Sequence, residues 1–226
     1  ILGAMYLPGF LFFLNFAILT YFPALGFPLT EPRNYFFANL LYMTVNFAVM
    51  LLIFRRTLWQ SLREYKRQML LSVLIGFGMC YGANLVLTTA YTVLDIMPEN
   101  YNQEAVNSLL GGYPLAMTLC TVVLAPLAEE CLFRGVLFAP LARRCLPAAY
   151  ALSMFLFAGM HVFQFLGSMT AANTILCLSL YLPASFSLCW VYQKTGNIWA
   201  CIFLHMFINF QSVLASLLRS LMQAFL

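Results

Sequence analysis

Long apolar runs alternate with short polar or proline-containing breaks along the whole sequence of 226 residues. Each run is close to the length of about 20 residues that an α-helix needs to cross the hydrocarbon core of a bilayer. The breaks carry clustered charges or proline and glycine, which end helices. The pattern predicts an all-α fold, a polytopic transmembrane bundle of about seven spans, over residues 4–22, 35–54, 68–94, 113–142, 147–165, 170–192 and 197–222.

The composition makes the bilayer the expected solvent for this chain. Hydrophobic residues form 63% of the sequence and charged residues only 8%, whereas a soluble domain carries roughly 25% charged residues. A soluble fold of this length has too little interior to bury so many apolar side chains. The first run lacks the basic start and the small-residue cleavage site of a signal peptide, so we expect it to span. Without a linker or repeat, residues 1–226 are predicted to form a single integral membrane domain.

The distribution of Lys and Arg predicts the orientation of the bundle, because cytoplasmic loops are enriched in these residues. With a cytoplasmic N-terminus, the second, fourth and sixth connections face the cytoplasm and hold five, two and one Lys or Arg. The opposite side holds only Arg33 and Arg219. We therefore predict a multi-pass protein of the cell (cytoplasmic) membrane, with its N-terminus inside and its C-terminus outside. The basic residues mark span ends, so no nucleic-acid partner is predicted.

Two adjacent carboxylates, Glu129 and Glu130, lie inside the fourth predicted span. A charged side chain at bilayer depth costs at least about 2.5–3.5 kcal/mol on insertion scales, so it indicates a function. Arg134 follows Glu130 by four residues on the same helix face, where an ion pair offsets part of this cost. Glu129 is rotated by about 100° and cannot be fully paired by the same arginine. Glu129 is therefore the carboxylate predicted to be available for chemistry.

Pro126 lies one turn before Glu130 in the same span. Proline lacks a backbone N–H and its ring clashes with the preceding turn, so we expect a kinked helix. The missing N–H is also expected to free backbone carbonyls near the two carboxylates.

The two histidines of the sequence, His161 and His205, also lie within predicted spans, and Asn209 follows His205 by one turn. Depth can be counted at about 1.5 Å per residue from the cytoplasmic helix ends. Glu129 and His161 then both lie roughly 21 Å deep, and His205 and Asn209 roughly 14 and 20 Å deep. Three spans thus bring their rare polar groups to one level, which predicts a common site.

A carboxylate, two imidazoles and an amide in a dry interior suit the activation of water. The carboxylate can act as a general base, one imidazole can relay the proton, and the other can stabilise an oxyanion together with the amide. Two histidines and a carboxylate also suit Zn²⁺ with an open position for water. Both alternatives stay open at this point: no cofactor, or Zn²⁺ or another divalent metal on Glu129, His161 and His205.

Three short motifs resemble those of the CPBP family, which includes type II CAAX prenyl proteases and Abi-like proteins that process bacteriocins or protect against them. The motifs are EExxxR at residues 129–134, FxxxH at 157–161 and HxxxN at 205–209, in the family's order and each on its own apolar span. The resemblance covers residues 110–215, the predicted catalytic core. The N-terminal helices in residues 1–108 carry no matching motif.

The resemblance implies an intramembrane endopeptidase that cleaves near the C-terminus or the membrane-proximal part of its substrate. The implied site residues are Glu129 and His161 for water activation, His205 and Asn209 for the oxyanion hole, and Glu130 with Arg134 as a structural ion pair. The family is often labelled metallopeptidase, but its motifs also fit a metal-free glutamate mechanism, which we favour. The chain looks like a bacterial member, whose substrate is a peptide or membrane protein with or without a lipid anchor.

Two other functions remain as alternatives. A non-enzymatic membrane protein that binds a bacteriocin or another peptide, as an immunity protein does, could keep this fold. A proton-coupled transporter would use buried Glu and His as a relay, but the sequence shows neither the inverted repeats nor the paired broken helices of transporters. The complete set of motif residues favours the peptidase, because binding alone does not require all of them. The lipid bilayer is an expected partner, and the oligomeric state is left open.

Overall fold

The computed structural model describes residues 7–224, which form helices and no strand. The helices are α1 (Leu7–Ala24), α2 (Pro32–Arg63), α3 (Arg67–Val93), α4 (Tyr101–Gly112), α5 (Pro114–Ala142), α6 (Leu146–Ser168), α7 (Ala171–Thr195) and α8 (Ile198–Ala224). Six of them, α2, α3 and α5 to α8, are long and apolar enough to cross a membrane. The predicted all-α transmembrane bundle is therefore confirmed.

The six helices correspond to the second to seventh predicted spans. Their ends lie within about three residues of the predicted ends, except at the end of α2. The first predicted span, residues 4–22, begins outside the described residues. Its described part belongs to α1, a helix of 18 residues.

α2 continues through the basic cluster, so the prediction that this span ends before Arg55 is wrong. The helix has 32 residues, about 48 Å at 1.5 Å per residue, against a hydrocarbon core of about 30 Å. Its final turns are hydrogen-bonded to residues at the start of α8. Trp199 Nε1 donates a hydrogen bond to Leu58 O at 2.7 Å, and Asn197 Nδ2 donates to Ser61 O at 2.7 Å. These bonds hold the helix beyond the apolar run, while its arginine side chains stay exposed.

α4 lies in the polar connection after α3, where the sequence pattern predicted no helix. Asn100 caps its first turn, because the Asn100 Oδ1 accepts a hydrogen bond from Gln103 N at 3.1 Å. Leu109 and Leu110 are buried and pack in a cluster with Phe36. The helix is short and rich in amide side chains, so it produces no apolar run that hydropathy could detect.

α5 contains two wide turns of π-helix, in which backbone hydrogen bonds close i→i+5. They cover Cys120–Leu124 and Cys131–Phe138, on either side of the α-helical segment Ala125–Glu130. Such turns inside α-helices occur frequently at functional sites. Here they flank the two carboxylates of the EExxxR motif.

Pro126 accounts for the first wide turn. Proline has no N–H to donate, and its ring clashes with the carbonyl of the turn before it. The Ala125 N–H is already bound to Cys120 O, so Thr121 O lacks its usual α-helical donor. A released backbone carbonyl is therefore found at Thr121, about two turns before Glu129.

The motif-bearing part of α5 lies between two buried apolar clusters. One joins it to α2 and α8 through Met50, Leu58, Leu127, Ala128, Cys131, Ile198 and Ile202. The other joins it to α3, α6, α7 and α8 through Val73, Phe133, Phe157, Leu188, Val191, Ala200, Cys201 and Leu204. Close packing on both sides fixes the rotation of α5 and hence the direction of its polar side chains.

Candidate active site

Glu130 and Arg134 form an ion pair in the centre of the bundle. Arg134 Nη1 lies 3.1 Å from Glu130 Oε1, and both side chains are fully buried. Arg134 Nη2 also donates to Ser185 O and Ser185 Oγ, at 3.1 and 3.2 Å. The guanidinium lies over the Phe157 ring, 5.0 Å from its centroid. The arginine thus connects α5 with α6 and α7, as the ion-pair prediction for this motif requires.

His205 lies between the two carboxylates of α5. Its Nδ1 is 2.8 Å from Glu130 Oε1, and its Nε2 is 3.8 Å from Glu129 Oε2. Because an ionised carboxylate only accepts hydrogen bonds, Nδ1 carries the hydrogen of the bond to Glu130. The 3.8 Å separation is too long for a direct hydrogen bond. Nε2 and the Glu129 carboxylate therefore face each other across a gap.

Glu129 differs from its neighbour in having no hydrogen-bond partner among residues 7–224. Its Oε2 is buried, while the side chain as a whole is 19% exposed. A buried carboxylate oxygen of this kind is costly unless another group binds it. Its position fits the prediction that Arg134 pairs with Glu130 and leaves Glu129 available.

His161 reaches the same region from α6. Its Nδ1 is 2.9 Å from Phe157 O, and a carbonyl only accepts, so Nδ1 is protonated and Nε2 carries the lone pair of the neutral ring. The Phe157 ring contacts both histidines, with centroid distances of 4.9 Å to His161 and 5.6 Å to His205. His161 is also close enough to Glu129 and His205 to interact electrostatically with both. The structure thus brings Glu129, His161 and His205 close to one another.

Asn209 is one turn beyond His205 and faces the first wide turn of α5. Its Nδ2 donates to Thr121 O at 2.8 Å, the carbonyl that Pro126 leaves without a donor. One amide hydrogen of Asn209 is therefore engaged, and one remains for another acceptor. Asn209 thus joins α8 to α5 about two turns before Glu129.

Two residues of α2, Tyr42 and Asn46, adjoin the site but were not predicted from the motifs. Tyr42 lies close enough to Glu129 to interact electrostatically, and its phenol adjoins the Asn46 amide. Asn46 is only 6% exposed, and its Oδ1 has no partner within residues 7–224. The sequence contained one signal for these two residues: the amide of Asn46 lies in an apolar span, one turn from a tyrosine. α2 therefore adds polar groups to a site whose motifs lie elsewhere.

The set of side chains does not fit a metal centre with three protein ligands. In the described part of the chain, no three His, Cys, Asp or Glu side chains converge closely enough to hold a metal ion. Glu129 Oε2 and His205 Nε2 approach to 3.8 Å, and the Phe157 ring packs against both imidazoles. We therefore derive no chemical step through a metal.

Comparison with known proteins points to one family. Residues 111–211 match the family model described as type II CAAX prenyl endopeptidase Rce1-like. A Bacillus subtilis (strain 168) protein named "Putative membrane peptidase YdiL" is 28% identical over 166 residues, which are 71% of this chain and 64% of that protein. This chain thus spans less than two thirds of its relative, and no solved structure matches. The resemblance predicted from the three motifs is supported by both comparisons: residues 111–211 match the Rce1-like type II CAAX prenyl endopeptidases, and the chain is similar to a protein named as a membrane peptidase.

Proposed function

We propose that this chain is an intramembrane endopeptidase in which Glu129 activates a water molecule to hydrolyse a peptide bond. The observation that carries this proposal is the state of Glu129 Oε2. This oxygen is buried without a hydrogen-bond partner in residues 7–224, and it lies 3.8 Å from His205 Nε2. The neighbouring Glu130 is instead held by Arg134 and His205. Glu129 is the carboxylate that can accept a proton from a substrate water.

In the proposed reaction, Glu129 takes one proton from water while the water oxygen forms a bond to the peptide carbonyl carbon. The proton then passes to the leaving nitrogen as the C–N bond breaks, which yields a carboxylic acid and an amine. His161 suits this transfer, because its Nδ1 hydrogen is fixed by Phe157 O and its Nε2 lone pair is free to receive a proton. Glu129 and His161 thus share the acid–base work.

His205 and Asn209 are the proposed donors to the oxyanion. Because His205 already donates through Nδ1 to Glu130, a second donor at Nε2 requires the doubly protonated ring. Asn209 contributes the amide hydrogen that Thr121 O does not bind. Donors fixed in a dry site are effective stabilisers of developing charge.

The proposed substrate is a peptide or membrane protein, with or without a lipid anchor, that reaches the site from the bilayer. The reacting groups lie within the spans α5, α6 and α8, so the scissile bond must enter between helices. Cleavage near a C-terminus or close to a span satisfies this requirement. The name of the matching family describes prenyl endopeptidases, so a prenylated CAAX peptide belongs among the test substrates.

The test is cleavage of a quenched peptide library, including a prenylated CAAX peptide, by the purified protein in detergent. We expect wild type to cleave and Glu129→Gln to lose roughly 10²–10⁴-fold in kcat, the usual contribution of a general base. Glu64→Gln is the matched control, because Glu64 is exposed just after α2. It should cleave like wild type. Cleavage by Glu129→Gln at the wild-type rate would contradict the assigned base.

Chelation tests the metal alternative. The glutamate mechanism predicts unchanged cleavage in the presence of a strong chelator. Loss of cleavage with rescue by Zn²⁺ would favour a metallopeptidase in which Glu129, His161 and His205 serve as ligands. If wild type cleaves nothing yet binds a peptide in a manner that Glu129→Gln preserves, the non-enzymatic binding function replaces the peptidase.

We also propose that the N-terminus is cytoplasmic, as the Lys and Arg distribution predicts. Cys145 tests this orientation, because it is the exposed cysteine and the other six are buried. It lies between α5 and α6, directly after Arg143 and Arg144. A membrane-impermeant maleimide should label Cys145 only after cells are permeabilised, and Cys145→Ser should remove the signal. Labelling of intact cells would reverse the orientation.

A further inference from the structure

Tyr181 of α7 lies against the His161 imidazole although it belongs to none of the motifs. The two rings are stacked, with centroids 4.4 Å apart and an angle of 21° between their planes. In the described structure the His161 ring makes one hydrogen bond, which its Nδ1 donates to Phe157 O of its own helix at 2.9 Å. Rotation of the imidazole is thus limited by the Phe157 ring and by the Tyr181 ring.

The Tyr181 hydroxyl is hydrogen-bonded to two asparagines at the start of α4. It donates to Asn100 Oδ1 at 3.0 Å and accepts from Asn102 Nδ2 at 3.2 Å. Asn100 Oδ1 is also the cap of α4, where it accepts from Gln103 N. A continuous set of contacts therefore runs from the helix cap, through the tyrosine hydroxyl, to the imidazole.

α4 is itself held by α8, the helix that carries His205 and Asn209. Ser212 Oγ donates to Gln103 Oε1 at 3.3 Å, and Ser216 Oγ donates to Asn107 Oδ1 at 2.7 Å. The position of α4 relative to the site is thus fixed by polar contacts on two of its turns. Amide side chains on one helix connect α7 with α8.

His161 requires such support because of its place in α6. The α-helical part of α6 ends at Val162, and the next residues form a tighter 3₁₀ turn. His161 is the second-last residue of the regular helix, so its own backbone constrains it less than a mid-helix position would. A proton relay needs its imidazole directed at the reacting atoms, and misplacement by about 1 Å can cost roughly 10²-fold in rate.

We propose that Tyr181 is a positioning residue that holds the His161 imidazole toward Glu129, and that Asn100 and Asn102 at the start of α4 hold Tyr181 in turn. The proposal rests on the proposed function, because it treats His161 as part of the acid–base machinery. It gives α4 a role in the site. Most of α4 lies before residue 111, where the family match begins.

The first test does not need activity, because the chain contains only two histidines. Protein labelled with ¹⁵N and ¹³C in histidine should therefore give one set of imidazole resonances for His161 and one for His205. Tyr181→Phe keeps the stacked ring and removes both hydrogen bonds, and Asn100→Ala removes one of them without touching His161. We expect both variants to shift or broaden the His161 resonances and to leave those of His205 in place.

Tyr91→Phe is the matched control for the loss of a tyrosine hydroxyl. The Tyr91 hydroxyl is 2.6 Å from Ser179 Oγ, so it also binds α7, two residues before Tyr181. This variant should move neither set of resonances. Unchanged His161 resonances in both Tyr181→Phe and Asn100→Ala would overturn the proposal. Equal movement of both histidines in these variants would overturn it too, because general loosening of the bundle would explain it.

The second test is kinetic. Tyr181→Phe and Asn100→Ala should each lower kcat by roughly tenfold to 100-fold with KM unchanged, since misdirection of a relay affects the chemical step. The double variant should lose no more than the larger single loss, because both changes break one set of contacts. Losses that multiply would overturn the coupling. If wild type cleaves no peptide, the proposed function fails while the resonances still test the positioning of His161.

Discussion

On one face of α5, Glu130 and Arg134 are fully buried and joined by an ion pair that extends to Ser185 and His205. On the adjacent face, one residue away, Glu129 has no hydrogen-bond partner in residues 7–224 and is partly exposed. The two carboxylates have the same chemistry and differ only by the rotation of about 100° between successive residues of a helix. The comparison shows how one short motif supplies both an anchor and a reactive group.

The two faces also make different demands on stability. Removal of Glu130 leaves a buried guanidinium without its counter-charge, whereas removal of the charge of Glu129 breaks no bond. Functional sites are where proteins retain unfavourable local arrangements. Variants that alter one face at a time therefore sharpen the comparison, and the following are ordered by their expected effect on the free energy of unfolding.

Glu130→Ala should have the largest effect. It leaves Arg134 buried and unpaired and removes the acceptor of His205 Nδ1. Breaking a buried ion pair on one side typically costs about 3–5 kcal/mol. Unfolding in detergent, followed by circular dichroism, measures the loss, with Glu64→Ala as an exposed control. A loss below about 1 kcal/mol would show that the ion pair does not anchor the bundle.

Asn209→Ala should have the second largest effect. It removes the donor to Thr121 O, a carbonyl that Pro126 has deprived of its backbone partner. An unsatisfied buried acceptor typically costs about 1–3 kcal/mol. Asn209→Asp serves as the companion variant, because it keeps the size but has no N–H to donate. Wild-type stability in both variants would mean that this hydrogen bond contributes nothing.

Ser185→Ala should destabilise by only about 0.5–1.5 kcal/mol, the net contribution of an ordinary hydrogen bond. Arg134 Nη2 loses the Ser185 hydroxyl but keeps the carbonyl of the same residue, at 3.1 Å. The same unfolding experiment measures the effect. A loss as large as that of Glu130→Ala would show that the serine hydroxyl, and not the carboxylate, is the main partner of the arginine.

Glu129→Gln should have the smallest effect on stability, within about 0.5 kcal/mol of wild type, because no hydrogen bond of the described structure is broken. The same variant is expected to lose nearly all peptidase activity. Strong destabilisation by Glu129→Gln would remove the distinction between the two faces.

The positions of the spans and the different roles of the two carboxylates were predictable from the local sequence pattern. Apolar runs are long because the bilayer demands them, so five of the six spanning helices begin and end close to the predicted residues. The different roles of Glu129 and Glu130 follow from the i, i+4 spacing of Glu130 and Arg134, because only Glu130 shares a helix face with the arginine. Neither prediction depends on how the helices pack.

The remaining features depend on contacts between distant parts of the chain. α2 continues past Arg55 because Trp199 and Asn197 bind its last turns, and charge alone suggested a helix end. The bond between His205 and Glu130 requires a specific rotation of α8 against α5, which sequence spacing does not encode. Tyr181 reaches His161 from another helix, and tyrosine in an apolar span carries no distinguishing signal.

The wide turns of α5 have a consequence for how this sequence can vary in length. A turn that closes i→i+5 contains one residue more than an α-helical turn, so each behaves as a one-residue insertion that the helix has absorbed. Deletion of a single residue from Cys120–Leu124 would let that turn revert to α-helix, and the following segment would keep its phase. The wide turn therefore lets α5 hold an extra residue while Glu129 and Glu130 keep their directions, whereas the same deletion in a regular α-helix would rotate both carboxylates by about 100°.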